Sequence, residues 1–443
     1  MDHRVNIITH VHTDASSAET SELNTRISAT IHRYAGADTP ITWAECFTPV
    51  EHLEQLLRTG HGDNGPVHMV VVTDHMRSQS HRLPDGHLAA AARTQQLALG
   101  AELATRTRDV DGCYRHGPEI LAFGGRLPVQ GPHGPYHGLA QELIDELYDT
   151  CRDEEGQELC TRRARDLLRQ RGIAHALSHP LDGHALSLEG TMKIISEFEF
   201  IETLNGGYSA RSARMLEAYV RLNNALLDGA SLPTSELSPL GRRIVDHICR
   251  EGRRIHTLSG SDAHSHTFDR VVTAMAAPAG RRPADLLPDA FFDRLLTLSQ
   301  TSAHDGASFT SLGCAATVRS LLSDVSTIIL RNARRNIPLC LNPIVWSQLG
   351  VATVYITQDE LRWRWRTQRR RVRQLRREFD PMRLLPLLQP DARQQATADS
   401  PAREAVHAEQ VSRSEGASLE SGAARAARIR ARCAGAGAGA GAR

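Results

Sequence analysis

Several things are scarce in this chain of 443 residues. No sign of charge dominates: 52 Lys and Arg stand against 51 Asp and Glu, a formal net charge of +1. The overall field therefore drives the chain neither to nucleic acid nor to an acidic surface. None of the cysteines Cys46, Cys113, Cys151, Cys160, Cys249, Cys314, Cys340 and Cys433 forms a C-x-x-C pair, which argues against a cysteine-built zinc site or a thioredoxin-type motif. The opening MDHRVNIITH lacks the charged-apolar-small pattern of a signal peptide. Together with the scattered cysteines it points to a reducing cytoplasm. One apolar stretch, Ile337–Ile356, is long enough to span a bilayer, but Pro338, Asn342, Pro343, Ser347, Gln348 and Gly350 interrupt it. It reads as a buried accessory segment, and no transmembrane helix is expected. There is no G-x-S-x-G elbow, no Walker loop and no G-x-G-x-x-G. The paired glycines of LNGGYS do not open a helix as a phosphate fingerprint would.

Histidine, by contrast, is abundant, with 22 residues. The stretch NIITHVHTDAS, residues 6–16, sets His10 and His12 one residue apart after an apolar run. In a strand, positions i and i+2 share a face, so the two imidazoles project side by side.

Short apolar runs recur at 5–9, 67–73, 97–102, 119–124, 173–178, 198–204 and 255–260. Helix-like stretches such as PVEHLEQLLRTG, LAQELIDELYDTC and SARMLEAYVRLNNALL separate them, and Gly172 suits the C′ position after TRRARDLLRQRG. Strands alternating with helices predict a parallel sheet. Seven such units predict a (β/α) barrel. The expected divisions are a barrel over 1–300, an accessory extension over 301–360, an arginine-rich helical segment over 361–388 and a disordered tail over 389–443. The last of these has no aromatics and ends in CAGAGAGAGAR. Truncation before Leu361 is expected to leave the barrel folded.

Metal-ligand residue types stand at the strand ends again and again. His10 and His12 end the first; Asp74 and His75 the second; Glu102 the third. Glu119 opens the fourth. His179 ends the fifth, with His184 in the loop; Glu202 and Asn205 end the sixth; Asp262 and His264 the seventh. One such histidine is usually a surface residue, and one such carboxylate a helix cap. The joint pattern, at the end of a β/α barrel where active sites lie, predicts bound metal.

In this order the residues HVHT, TDH, GAE, SHP and GSDAHS resemble the motifs of the PHP family, named for domains of polymerases and histidinol phosphatases. The resemblance covers roughly residues 4–275. It implies a distorted, TIM-like, seven-stranded (β/α) barrel with a metal-dependent phosphoesterase activity. It implies two or three divalent ions, Zn, Mn or Fe. His10, His12, Glu102 and Asp262 would hold one. Glu102 would bridge to a second, shared with His179. His75 and His264 would hold a third, and Asp74 would orient an imidazole through its ring N–H. Two positions depart from the family pattern. The loop after H-x-H has no histidine, Glu19 being the nearest substitute. Glu119 stands where members carry a strand-four histidine, with His116, His133 and His137 as rival ligands.

Two cations about 3.5–4 Å apart lower the pKa of a water and neutralise a phosphate. A phosphate also calls for arginine. Arg77, Arg211 and Arg270 each follow a strand end, Arg77 and Arg270 being the first choices. The expected partner is a phosphorylated small molecule or nucleotide. Nucleic acid is a further candidate through Arg362–Arg377, where nine arginines flank Trp363 and Trp365. Two other readings stand beside this one. The first is a metal-bearing scaffold, or nucleic-acid-binding protein, with little catalysis. The second is an amidohydrolase-like barrel, which a metal-bridging lysine would favour. Lysine is nearly absent, and Lys193 in GTMKIIS is not at a strand end.

Overall fold

The computed structural model describes residues 4–16, 49–62, 65–77, 81–156, 158–181, 185–207, 209–262, 271–276, 288–300, 309–313 and 365–389, with single residues 29, 32, 326, 327, 330, 331 and 362. Glu19, His184, His264, Arg270, the apolar stretch Ile337–Ile356 and the tail from 390 lie outside the described residues.

The fold is mixed α/β. Strands form at all seven expected runs: Arg4–Val11, Met69–Val72, Leu97–Leu99, Ile120–Gly124, Ala174–Leu177, Phe200–Asn205 and His256–Gly260. Two sheets carry them, one of seven strands and one of six. Two chain segments pass from the first sheet to the second. Met69–Val72 continues into His75–Met76, and Leu97–Leu99 into Ala101–Leu103. The second crossing turns at Gly100, where a Cβ would lie 2.5 Å from the carbonyl oxygen of Ala122. Only glycine allows that approach. No strand ladder joins the two sheets among the described residues. Hydroxyls bridge them instead: Thr9 Oγ1 donates to the Ser259 carbonyl at 2.6 Å, and Ser259 N donates to Thr273 Oγ1 at 3.1 Å.

The pairing is not all parallel. Ile120–Gly124 runs antiparallel to both Ala101–Leu103 and Ala174–Leu177, and Val271–Ala276 runs antiparallel to Arg4–Val11. A parallel partner needs a crossover of a dozen or more residues. Between Leu103 and Ile120 the chain instead makes a hairpin excursion, Thr105–Arg108 against Tyr114–His116, and returns reversed.

Alternation along the strands builds one interior from both sheets. Val5, Ile7, Met69, Val71 and Ala98 of the first sheet pack with Leu121, Phe123, Ala176, Phe200 and Leu258 of the second. Phe291 and Phe292, on the helix Pro288–Gln300, join them. Two residues farther along, the same face turns polar: Val71 leads through Thr73 to His75, Ala98 through Gly100 to Glu102, Phe200 to Glu202, and Leu258 through Gly260 to Asp262. On the reversed strand the order is mirrored, Phe123 and Leu121 preceding Glu119. In the first strand the register with Met69–Val72 slips between Ile8 and Val11. This bulge re-aims the strand end, so that His10 and His12 continue the face begun by Val5 and Ile7.

Helices cover the outside. Val50–Thr59, Gln141–Thr150, Thr161–Gln170, Ala210–Leu227 and Pro239–Glu251 match the helical periodicity of their sequences. The arginine-rich segment is helical over 365–378. It is not an appendage: Val372, Leu375, Phe379 and Leu384 are buried in the larger core, and Met1–Leu388 forms one compact unit. The expectation that the fold survives truncation before Leu361 is therefore corrected. The density of arginine hid a buried apolar stripe at 372, 375 and 379, spaced as one helix face. No helix of the described residues is long and apolar enough to cross a membrane.

Candidate metal centre

The strand ends bring His10, His12, Glu102 and Asp262 together, with one ligand atom from each lying within 4.8 Å of all the others. His10 Nε2 is 3.1 Å from His12 Nε2, 3.3 Å from Glu102 Oε2 and 3.7 Å from Asp262 Oδ1. His12 Nε2 is 3.3 Å from Glu102 Oε2 and 3.4 Å from Asp262 Oδ1. Ligands held tetrahedrally at about 2.0–2.2 Å from a zinc ion lie roughly 3.3–3.6 Å apart. These separations bracket that range.

Glu102 belongs to a second group as well, with His75 and Glu119. His75 Nδ1 lies 3.0 Å from Glu102 Oε2. His179 Nε2 lies 3.0 Å from Glu102 Oε1 and 3.5 Å from Glu119 Oε2. The structure thus groups His75 with Glu102 and Glu119 rather than in a separate third site. Glu102 Oε2 is fully buried and accepts no hydrogen bond, although three imidazole nitrogens approach it to 3.0–3.3 Å. A buried carboxylate oxygen so surrounded, yet unsatisfied, suits a cation. Nitrogen and carboxylate donors suit Zn, Mn or Fe alike.

The ring of His10 is fixed from behind. Its Nδ1 lies 2.9 Å from Glu202 Oε1. Glu202 also accepts from His179 N at 3.1 Å and from Asn205 Nδ2 at 3.0 Å. Ser178 Oγ donates to Glu102 Oε1 at 2.8 Å. Such carboxylate partners set the tautomer and orientation of a ligating imidazole. Gly260 makes room for the arrangement, since a Cβ there would lie 1.8 Å from Glu202 Oε1 and 2.6 Å from His10 Cβ.

Among the described residues two non-glycine positions have positive φ, His179 at 21° and Asp262 at 48°. Both carry side chains of the cluster. Strain of this kind costs of order 1–3 kcal/mol per residue and gathers at functional sites.

The electrostatics are those of a cation site without its cation. Burial opposes charge on His10, but Glu202, Glu102 and Asp262 outweigh it and hold its pKa well above the ordinary imidazole value. His179 is pushed up to about 10: burial again opposes, and its hydrogen bond to Glu102 prevails. Burial would raise Glu102, yet His10 and His75 hold it well below the carboxylate range. Glu119 is raised, by burial first and by Glu102 second.

Asp74 stands apart from the cluster. It accepts from Thr13 N at 2.5 Å and Thr13 Oγ1 at 2.7 Å, and lies 3.3 Å from His87 Nδ1. The imidazole it meets is that of His87, not one of the cluster, and its role is to pin the loop after His12. Arg77 is half-buried, and its charge acts on Glu119 and Glu158. The rivals of Glu119 lie elsewhere. His116 pairs with Glu158 at 3.2 Å, His133 is exposed on a turn, and His137 rests by Phe292.

Glu197, His247 and Glu251 form a third group of ligand types. Two guanidinium groups already occupy Glu197: Arg162 donates at 2.7 and 2.6 Å and Arg165 at 2.9 Å. This is an ion-pair network whose carboxylate is already neutralised.

Compared with models of known protein families the chain matches none, and no curated protein matches it.

Proposed function

We propose that the chain is a metal-dependent phosphoesterase of the PHP type, acting on phosphate esters of small molecules, nucleotides or oligonucleotides. The observation that carries this reading is Glu102, whose carboxylate is common to two ligand groups, His10–His12–Asp262 and His75–Glu119. A shared carboxylate suits two neighbouring cations. Bound divalent ions supply Lewis acidity to a phosphate oxygen and lower the pKa of a water.

The protein's own groups set the stage for that chemistry. Glu202 holds the His10 ring, Ser178 holds Glu102, and Asp74 holds the Thr13 loop. The same reading takes the two sheets as arcs of a distorted (β/α) barrel. Their shared apolar interior and the Thr9–Ser259–Thr273 hydroxyl bridge support it.

The test is hydrolysis of p-nitrophenyl phosphate and a panel of natural phosphate esters. The protein is first stripped by chelation, then reloaded with zinc, manganese or ferrous ion. Activity should return only on reloading. Glu102→Gln should lower it by about two orders of magnitude or more, the scale seen when a metal's charge stabilisation is lost. Equal turnover by stripped and reloaded protein, or by Glu102→Gln and wild type, contradicts the proposal.

A further inference from the structure

Most charged side chains on this surface have partners. Arg115 pairs with Asp111, Arg171 with Glu146, Arg243 with Glu189, and Arg254 with Asp228. The helix over 365–378 breaks the rule. Arg366, Arg369, Arg370 and Arg373 are exposed on it, and among the described residues no carboxylate pairs with any of the four. With Gln374 and Arg377 they line one open cavity of about 470 Å³.

Their spacing compounds the cost. Arg366 and Arg370, Arg369 and Arg373, and Arg373 and Arg377 are i,i+4 neighbours of like charge, an arrangement that destabilises a helix. The helix tolerates it because its other face is firmly held. Val372 and Leu375 are buried. Gln368 Nε2 donates to the Gly207 carbonyl at 3.0 Å, and Arg371 Nη1 donates to Thr191 Oγ1 at 2.7 Å. The first of these contacts leads back to the metal centre: Gly207 N donates to Asn205 Oδ1, whose Nδ2 donates to Glu202, the partner of His10.

We propose that this arginine face is a binding surface for the phosphate backbone of single-stranded nucleic acid. Along the row Arg366, Arg370, Arg373 and Arg377 the guanidinium groups are spread over about 16 Å, in steps of about 5–6 Å. That row is too long for one phosphate group and suits a succession of them. A membrane surface fits less well. A helix that lies on lipid inserts its apolar face, and here that face is buried in the protein core. Arg369 also lies over the ring of the half-buried Trp365, 5.6 Å from its centroid, a guanidinium–aromatic pair of the kind on which bases stack. The proposal rests on charge and spacing and does not require the hydrolytic reading of the metal centre.

The test is fluorescence anisotropy of a labelled oligothymidylate with the full chain, in EDTA so that no turnover enters. Wild type should bind, with log K falling linearly in log salt. Replacing Arg366, Arg370 and Arg373 together by glutamine should weaken binding about tenfold or more, and reduce the salt slope by about 2, some 0.7 per arginine. The thermal melt should be unchanged. If the triple variant does not fold, the three single glutamine variants, each at an exposed position, carry the same comparison. Because the variants keep residues 389–443, any arginines of that tail cancel. Absence of oligothymidylate binding by wild type overturns the proposal. So do equal affinity and slope in the variants, or tighter binding to phosphatidylserine vesicles than to the oligonucleotide.

Discussion

His10 and Glu202 meet at 2.9 Å, ring Nδ1 against carboxylate Oε1, and neither side chain is exposed. The pairing leaves Nε2 of His10 facing His12, Glu102 and Asp262. Glu202 therefore acts on the metal through the ring it holds. Glu202→Gln should weaken metal binding by about 10- to 100-fold, the usual effect of losing such a partner. Metal titration of the stripped protein measures it. Unchanged affinity would mean that the ring is oriented by its packing alone.

The arginine helix makes a second prediction, on stability. Leu375 is completely buried. Leu375→Ala should cost about 2–5 kcal/mol in urea unfolding, as for other large-to-small changes in cores. Ending the chain before residue 365 removes Val372, Leu375, Phe379 and Leu384 together and should leave no cooperative transition. A truncated chain that melts like the full one would show the helix to be dispensable.

The third prediction concerns acid. Burial would raise Glu197, but His247, Arg162 and Arg165 hold its carboxyl at about 2. A carboxyl lowered on folding stabilises the native state above its unfolded value of about 4.3, and loses that contribution as pH falls toward the folded value. The full contribution is about 3 kcal/mol, of which roughly 2 should vanish between pH 6 and pH 3. The stability gap between wild type and Glu197→Gln should therefore narrow by that amount on acidification. A gap independent of pH would show that Glu197 is not held down.

Much of this was legible in the sequence because period two is simple. Each apolar run became a strand, and counting on by twos from Ala98, Phe200 or Leu258 reaches Glu102, Glu202 or Asp262. Glu202 was visible at its strand end, but nothing local marks a carboxylate that meets an imidazole 192 positions away. Direction was not legible either. The reversed strand Ile120–Gly124 brings Glu119 to the cluster from its start, and only the hairpin between Thr105 and His116 hinted at the reversal. His87 escaped notice because its helix reads as an ordinary amphipathic stretch. The core role of Leu375 was masked by the arginines around it.

The central claim is that the strand-end cluster is a metal centre, and metal content tests it most directly. After stripping and reloading with zinc, manganese or ferrous ion, elemental analysis should find at least one ion per chain of wild type. The double variant His10→Ala, His12→Ala should lose the ion held by His10, His12, Glu102 and Asp262 while remaining folded by circular dichroism. A folded double variant with the full metal content of wild type would contradict the account.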